Sequence, residues 1–120
     1  MEIGYKRIED VFVNGVCLRD ILRNREQSID LRNADLSGVN LSGADLCGAD
    51  LSYANLSFAN LKYADLSYAY LVNSNLFGAN LYDVDLDGAD LSFADLNNAD
   101  LRCVDLSNIN LNNVDLNGTY

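Results

Sequence analysis

Residues 41–70 read LSGADLCGADLSYANLSFANLKYADLSYAY, with Leu at every fifth position. Outward from this stretch the spacing runs without a break through Leu31, Leu36, Leu41, Leu46, Leu51, Leu56, Leu61, Leu66, Leu71, Leu76, Leu81, Leu86, Leu91, Leu96, Leu101, Leu106, Leu111 and Leu116. With the Leu position called i, residue i−2 is mostly Ala, replaced by Ser74 and by branched residues such as Val39, Val84 and Ile109. Residue i−1 is Asp or Asn in every repeat except that of Tyr70. Gly38, Gly43, Gly48, Gly78, Gly88 and Gly118 all stand at i+2.

A period of five fits neither regular element. On a helix of 3.6 residues per turn the Leu stripe would wind around every face. On a flat strand successive Leu would alternate between faces. A chain that buries every Leu must therefore bend once per repeat. Gly at i+2 agrees, because a type II turn needs positive φ there. The reading is a coil with a corner every five residues, with Leu and i−2 pointing inward. Residues 38–73 also match 78–113 at a spacing of forty, GVNLSGADLCGADLSYANL against GANLYDVDLDGADLSFADL. Eight repeats fit two coils of four repeats, although a duplication would leave the same trace.

The tandem motif Ala-(Asp/Asn)-Leu-x-x over residues 29–118 resembles the pentapeptide-repeat family, including its small cyanobacterial-type members. That resemblance implies an all-β fold, a right-handed quadrilateral β-helix with four repeats per coil and about four and a half coils. It divides the chain into a capping segment, 1–28, and a β-helix, 29–120.

With four repeats per coil, every twentieth residue shares a column. One face then carries Asp45, Asp65, Asp85 and Asp105 at i−1, with Asp87 at i+1, and is the candidate acidic binding face. The neighbouring face carries Asn40, Asn60, Asn80 and Asp100, with Lys62 and Arg102. The i−1 column has a structural reading, short side chains bonding turn N–H groups or stacked amides, and a functional one, an acidic surface read by a basic partner. Tyr53, Phe58, Tyr63 and Tyr68 occupy i+2 in four consecutive repeats, and Tyr70, Phe77 and Tyr82 look outward one coil later. They form a candidate aromatic surface, covering turns of adjacent coils or offering an apolar belt to a protein. Residues 69–78, AYLVNSNLFG, depart most from the consensus.

The first 28 residues do not repeat. Leu18, Ile21 and Leu22 space as a helix over 18–27. For residues 8–18 a helical reading of Tyr5–Val13 competes with a hairpin, because Asn14-Gly15 lies between VFV and VCL. Either form would let Ile8, Phe12, Leu18, Ile21 and Leu22 close the first coil over Leu31 and Leu36. The far end shows no cap and makes Leu111, Leu116 and Tyr120 candidates for a dimer contact.

Composition narrows the function. Among 120 residues there are 18 acidic and 8 basic side chains, a net charge of −10, with no His, Trp or Pro. Residues 1–29 are balanced, so the whole excess lies in the repeats. Without His there is no Ser-His or Cys-His pair and no imidazole ligand. The acidity argues against direct contact with nucleic acid or an anionic membrane. No apolar run is long enough to span a bilayer and no signal peptide is evident. Cys17, Cys47 and Cys103 suit a reducing compartment, so the expected location is the cytoplasm. No catalytic residue, cofactor or metal is expected; a Ca²⁺ site would lack the usual twelve-residue loop. The expected function is a non-catalytic scaffold for protein–protein interaction. The alternative is an acidic DNA mimic that inhibits a DNA-binding enzyme such as gyrase, as some members of the resembled family do. Monomer and dimer through the C-terminal end both remain open.

Overall fold

The computed structural model describes residues 4–24 and 26–120. From Asp30 onward the chain is a succession of corners and single parallel bridges. Asp30 pairs with Asp50, Asp50 with Tyr70, and Tyr70 with Asp90; Asp45–Asp65–Asp85 and Asn40–Asn60–Asn80–Asp100 run alongside. Each bridge joins residues twenty apart, so four pentapeptides make one coil. On each side a pair of backbone hydrogen bonds secures the coils. Leu66 N–H donates to Asp85 C=O at 2.8 Å, and Asp85 N–H donates to Ala64 C=O at 3.1 Å.

The corner lies within Leu-x-x-Ala. Ala54 N–H closes the turn onto Leu51 C=O at 3.0 Å, and Tyr53 at i+2 has φ +62°. Positive φ at i+2 alone is the sign pattern of a type II turn. Glycine marked only some of these corners in the sequence. In the structure Asn33, Tyr53, Phe58, Tyr63, Tyr68, Phe93 and other non-glycine residues adopt the same left-handed backbone. Asn108 is the repeat i+2 residue that does not.

The interior is filled. Leu31 through Leu96 are essentially inaccessible, and the Ala residues between them are buried too, apart from the half-buried Ala44. Burying a Leu contributes roughly 1.5–3 kcal/mol, so a column of them dominates the stabilisation. The ladder fails in its last coil, which corrects the sequence reading. Leu101 is buried, Leu111 is half-buried, and Leu106 and Leu116 are 39% and 40% exposed. No further described coil lies over them. In addition Val104, Ile109 and Val114 replace Ala at i−2, and branched side chains take more interior room than Ala does.

The register slips at the same place. The bonds that tie Leu66 to Asp85 have no counterpart between Leu86 and Asp105, and the Asp85–Asp105 bridge is missing. Gly88 N–H donates to Asn108 C=O at 2.7 Å, where Gly48 N–H, in the regular coil, donates to Ser67 C=O at 2.9 Å. The acceptor has moved by one residue.

The first coil is covered by the N-terminal segment. A 3₁₀ turn, Ile8–Asp10, leads to a hairpin of β1, Phe12–Val13, and β2, Val16–Cys17, then to α1, Leu18–Arg23. The hairpin reading of Asn14-Gly15 therefore prevails over the helical one. Asn14 and Gly15 have φ +50° and +81°, as a type I′ turn requires. The expected helix over 18–27 is shorter, ending at Arg23. Lys6 extends the sheet by a parallel bridge to Val39, exchanging bonds with Gly38 and Asn40 at 2.8 Å each. Leu18 is fully buried and Val11 nearly so, with Ile8, Val13, Ile21 and Leu22 packed beside them. Phe12, expected inside, is 64% exposed; Val11 takes the inward place.

Candidate interaction surface

The i−1 side chains perform a local task. In every repeat from Asp30 to Asp115 except that of Tyr70, Oδ1 accepts the backbone N–H of i+1. Examples are Ser52 to Asp50 at 3.0 Å, Lys62 to Asn60 at 3.1 Å and Ser67 to Asp65 at 2.9 Å. This is an Asx turn, in which a short side chain supplies the acceptor that a tight corner denies its backbone. Asp and Asn serve alike, so the bond does not depend on charge. Each Asn oxygen in the Asn40–Asn60–Asn80 column serves its own turn in this way. At some corners a Ser at i+1 adds a second bond, as from Ser67 Oγ to Asp65 at 2.5 Å and from Ser37 Oγ to Asp35 at 2.7 Å.

The acidic face is thus placed as expected for Asp45, Asp65 and Asp85, which are bridged in one column. Asp105 keeps its Asx bond from Ser107 at 2.9 Å but has left the bridged ladder. Asp87 lies beside Asp85 and accepts from Asn108 Nδ2 at 2.8 Å, a bond made possible by the slipped corner. Local partners tune several carboxylates. Arg32, donating at 2.9 Å from both Nε and a terminal nitrogen, holds Asp30 down to about 2. Arg102 lowers Asp100 in the same bidentate manner. The Ser37 and Ser107 groups lower Asp35 and Asp105 by donating hydrogen bonds to the ionised form. Among the described residues, no cluster of His, Cys, Asp and Glu is arranged to hold a metal ion.

The aromatic residues do not form one belt. Column arithmetic distributes Tyr53, Phe58, Tyr63 and Tyr68 over the four corners of a coil, and each has its own neighbourhood. Phe58 meets Phe77 edge-to-face, centroids 5.5 Å apart. Tyr63 meets Tyr82 likewise at 5.9 Å. Lys62 Nζ lies 5.6 and 5.4 Å from those two ring centroids, and the Arg102 guanidinium lies 5.5 Å from Tyr82. A hydrogen bond with Cys103 pushes the Tyr82 hydroxyl up. Phe58 and Tyr68 also lean over the glycines one coil on. A Cβ built on Gly78 would stand 2.6 Å from the Phe58 ring, and one on Gly88 2.5 Å from Tyr68. Large residues at i+2 therefore alternate with glycine along two corners.

Two features escaped the sequence reading. Phe93 is 57% exposed in the column of Tyr53, forty residues on, and the column arithmetic would have found it. Ser74 is buried at an i−2 position with its Oγ lacking a hydrogen-bond partner. The segment 69–78, singled out from the sequence, thus holds both the missing Asx acceptor at Tyr70 and an unsatisfied core hydroxyl.

A leucine-filled coil of parallel bridges, cornered every five residues by Asx-supported turns, defines a β-helix solenoid of tandem five-residue repeats. The chain belongs to the pentapeptide-repeat family: the family model "Pentapeptide repeats" matches residues 29–62, 54–92 and 79–118, in eight copies. Among solved structures it is similar to the pentapeptide repeat protein Rfr23 from the cyanobacterium Cyanothece 51142. Identity is 38% with a TM-score of 0.65, covering 80% of this chain and 62% of that one. It also matches a pentapeptide repeat protein from the Arabidopsis thaliana thylakoid lumen, at 37% identity and a TM-score of 0.40, covering 74% and 55%. HetL, involved in heterocyst differentiation regulation in the cyanobacterium Nostoc, matches at 29% identity and a TM-score of 0.35, covering 78% and 57%. The chain spans less than two thirds of the length of each. No curated protein matches the chain.

Proposed function

We propose that this protein is a non-catalytic scaffold whose outer faces bind another protein. One observation carries the reading: the interior is closed by leucine from Leu31 to Leu96, so the repeats' chemistry is displayed outward on a rigid frame. Membership of the family implies a right-handed coil, with residues 1–28 as its cap. Free thiols at Cys17, Cys47 and Cys103 suit the cytoplasm. The half-open last coil is the place for a second copy to dock if the protein dimerises.

The alternative, a DNA mimic acting on an enzyme such as gyrase, rests on the Asp45–Asp65–Asp85 column. The scaffold reading is preferred because those positions support corners, a role that Asn fills equally well elsewhere in the rod. The test is affinity capture from host lysate with the wild-type protein and with Asp45, Asp65, Asp85 and Asp105 all replaced by Asn, beside a gyrase supercoiling assay. A saturable partner held by both proteins supports the scaffold. Inhibition of gyrase by the wild type, lost in the Asn variant, would replace it with mimicry.

A further inference from the structure

Rings are used in two ways around this rod. On the Lys62 corner they are already occupied: Tyr63 and Tyr82 meet edge-to-face, with Lys62 and Arg102 over their faces. On the Phe58 corner Phe58 and Phe77 take each other. The face bearing Asp50, Tyr70 and Asp90 differs. Tyr68 stands on one of its bounding corners, Tyr53 and Phe93 on the other, and Tyr70 between them. Their exposures are 60%, 61%, 57% and 54%. Among the described residues no ring or cation lies against any of the four.

Tyr70 also stands where the rest of the rod has an Asx acceptor, so the N–H of Val72 lacks the bond that every other corner makes. The departure puts an exposed ring at the centre of the face. The charge around the rings is negative. Asp50 and Asp90 flank Tyr70 in its own column, and Asp87 precedes Gly88 on the Tyr68 corner. The cation of this face, Arg32, is held by Asp30 at 2.9 Å and lies 3.9 Å from Asp50.

We propose that the Tyr53–Tyr68–Tyr70–Phe93 face docks a basic segment of a protein partner. Arginine or lysine side chains lie on the open rings, and their charges are answered by Asp50, Asp87 and Asp90. Aromatic faces attract cations through their quadrupole, Tyr more than Phe being suited to a half-wet surface. Lys62 and Arg102 on Tyr82 show the same pairing inside the molecule. The proposal rests on the scaffold reading and adds which face binds and what chemistry it selects.

The test is calorimetric titration of the full chain with a short peptide of alternating arginine and glycine, at low and moderate salt. Tyr70→Asp separates stacking from simple attraction, because it removes the ring while adding negative charge and restoring the consensus acceptor. The expected result is a loss of at least about tenfold in affinity, with melting unchanged or raised. Tyr53→Asn with Phe93→Asn should weaken binding similarly, Asn being native to that column at Asn33, Asn73 and Asn113 with the same positive φ. Phe58→Asn, on another corner, should bind as the wild type does. Equal or tighter binding by Tyr70→Asp, or no wild-type binding at low salt, would overturn the proposal. Neither result touches the scaffold reading, which fails separately if lysate capture finds no saturable partner.

Discussion

Gly48 and Gly88 share a column and nearly the same backbone, φ +70° and +72°, yet their surroundings differ. A Cβ on Gly48 would meet nothing within 4 Å, whereas one on Gly88 would stand 2.5 and 2.6 Å from Tyr68 Cδ1 and Cε1. Placing an L-residue in the left-handed region costs about 1–2 kcal/mol in either case. At Gly88 the Tyr68 ring must also swing off the corner, an overpacking cost of about 1–3 kcal/mol, toward the low end because the ring is already half in solvent. Gly48→Ala should therefore cost about 1 kcal/mol and Gly88→Ala about 2–3. Urea unfolding of both, with a double-mutant cycle through Tyr68→Asn, separates the two contributions. In the Tyr68→Asn background Gly88→Ala should fall to the cost of Gly48→Ala. Equal losses for the two single variants, or a cycle without coupling, would refute the idea that the ring is fitted to the glycine.

Other consequences are as direct. Leu66→Ala should cost about 2–5 kcal/mol, because bridged coils on both sides cannot collapse onto the cavity, while Leu106→Ala should cost less than about 1; comparable unfolding curves would mean that Leu106 is packed after all. Ser74→Ala restores the consensus and removes a buried hydroxyl without a partner, so it should stabilise by about 1 kcal/mol, and a destabilised variant would show that Ser74 makes a bond. Asp30 is held ionised by Arg32, so its contribution is present above about pH 4 and is lost as pH falls toward about 2. Carboxyl NMR of Arg32→Gln should show the Asp30 midpoint moving up toward the ordinary aspartate value, and an unmoved midpoint would assign the depression to the turn N–H alone.

The five-residue period made the corners and the inward Leu legible, because each corner uses a local code of Asp or Asn, Leu, and a residue that tolerates positive φ. Four repeats per coil came from the forty-residue match and the family resemblance, and the twenty-residue bridges now show it. The code hid how widely positive φ is used. Tyr53 and Phe58 accept it because the corner bonds on both sides impose it, not because their own preference calls for it. Nor was the slip at Asp105–Asn108 visible, since Asp105, Leu106, Ser107 and Asn108 each match the consensus. It coincides with the run of branched i−2 residues Val104, Ile109 and Val114. The hairpin was written in Asn14-Gly15, but the apolar spacing of the same residues also fits a helix, and only the docking of Lys6 and Val11 against the first coil decides between them. The candidate surface was legible as a list of aromatics and acids. Which rings are already partnered, and which stand open, depends on side-chain stacking along each corner.

The central claim is that the i−1 carboxylates act as acceptors for the corners. The measurement that tests it is urea unfolding of two quadruple variants at Asp45, Asp65, Asp85 and Asp105, one all Asn and one all Ala. Asn keeps the oxygen that receives each N–H and relieves repulsion among Asp45, Asp65 and Asp85, stacked at ~4.8 Å, so its midpoint should equal or exceed the wild type. Ala removes the acceptors, each worth about 1 kcal/mol, and its midpoint should fall by an amount equivalent to several kcal/mol. An Ala variant as stable as the wild type, or an Asn variant as damaged as the Ala one, would contradict the account.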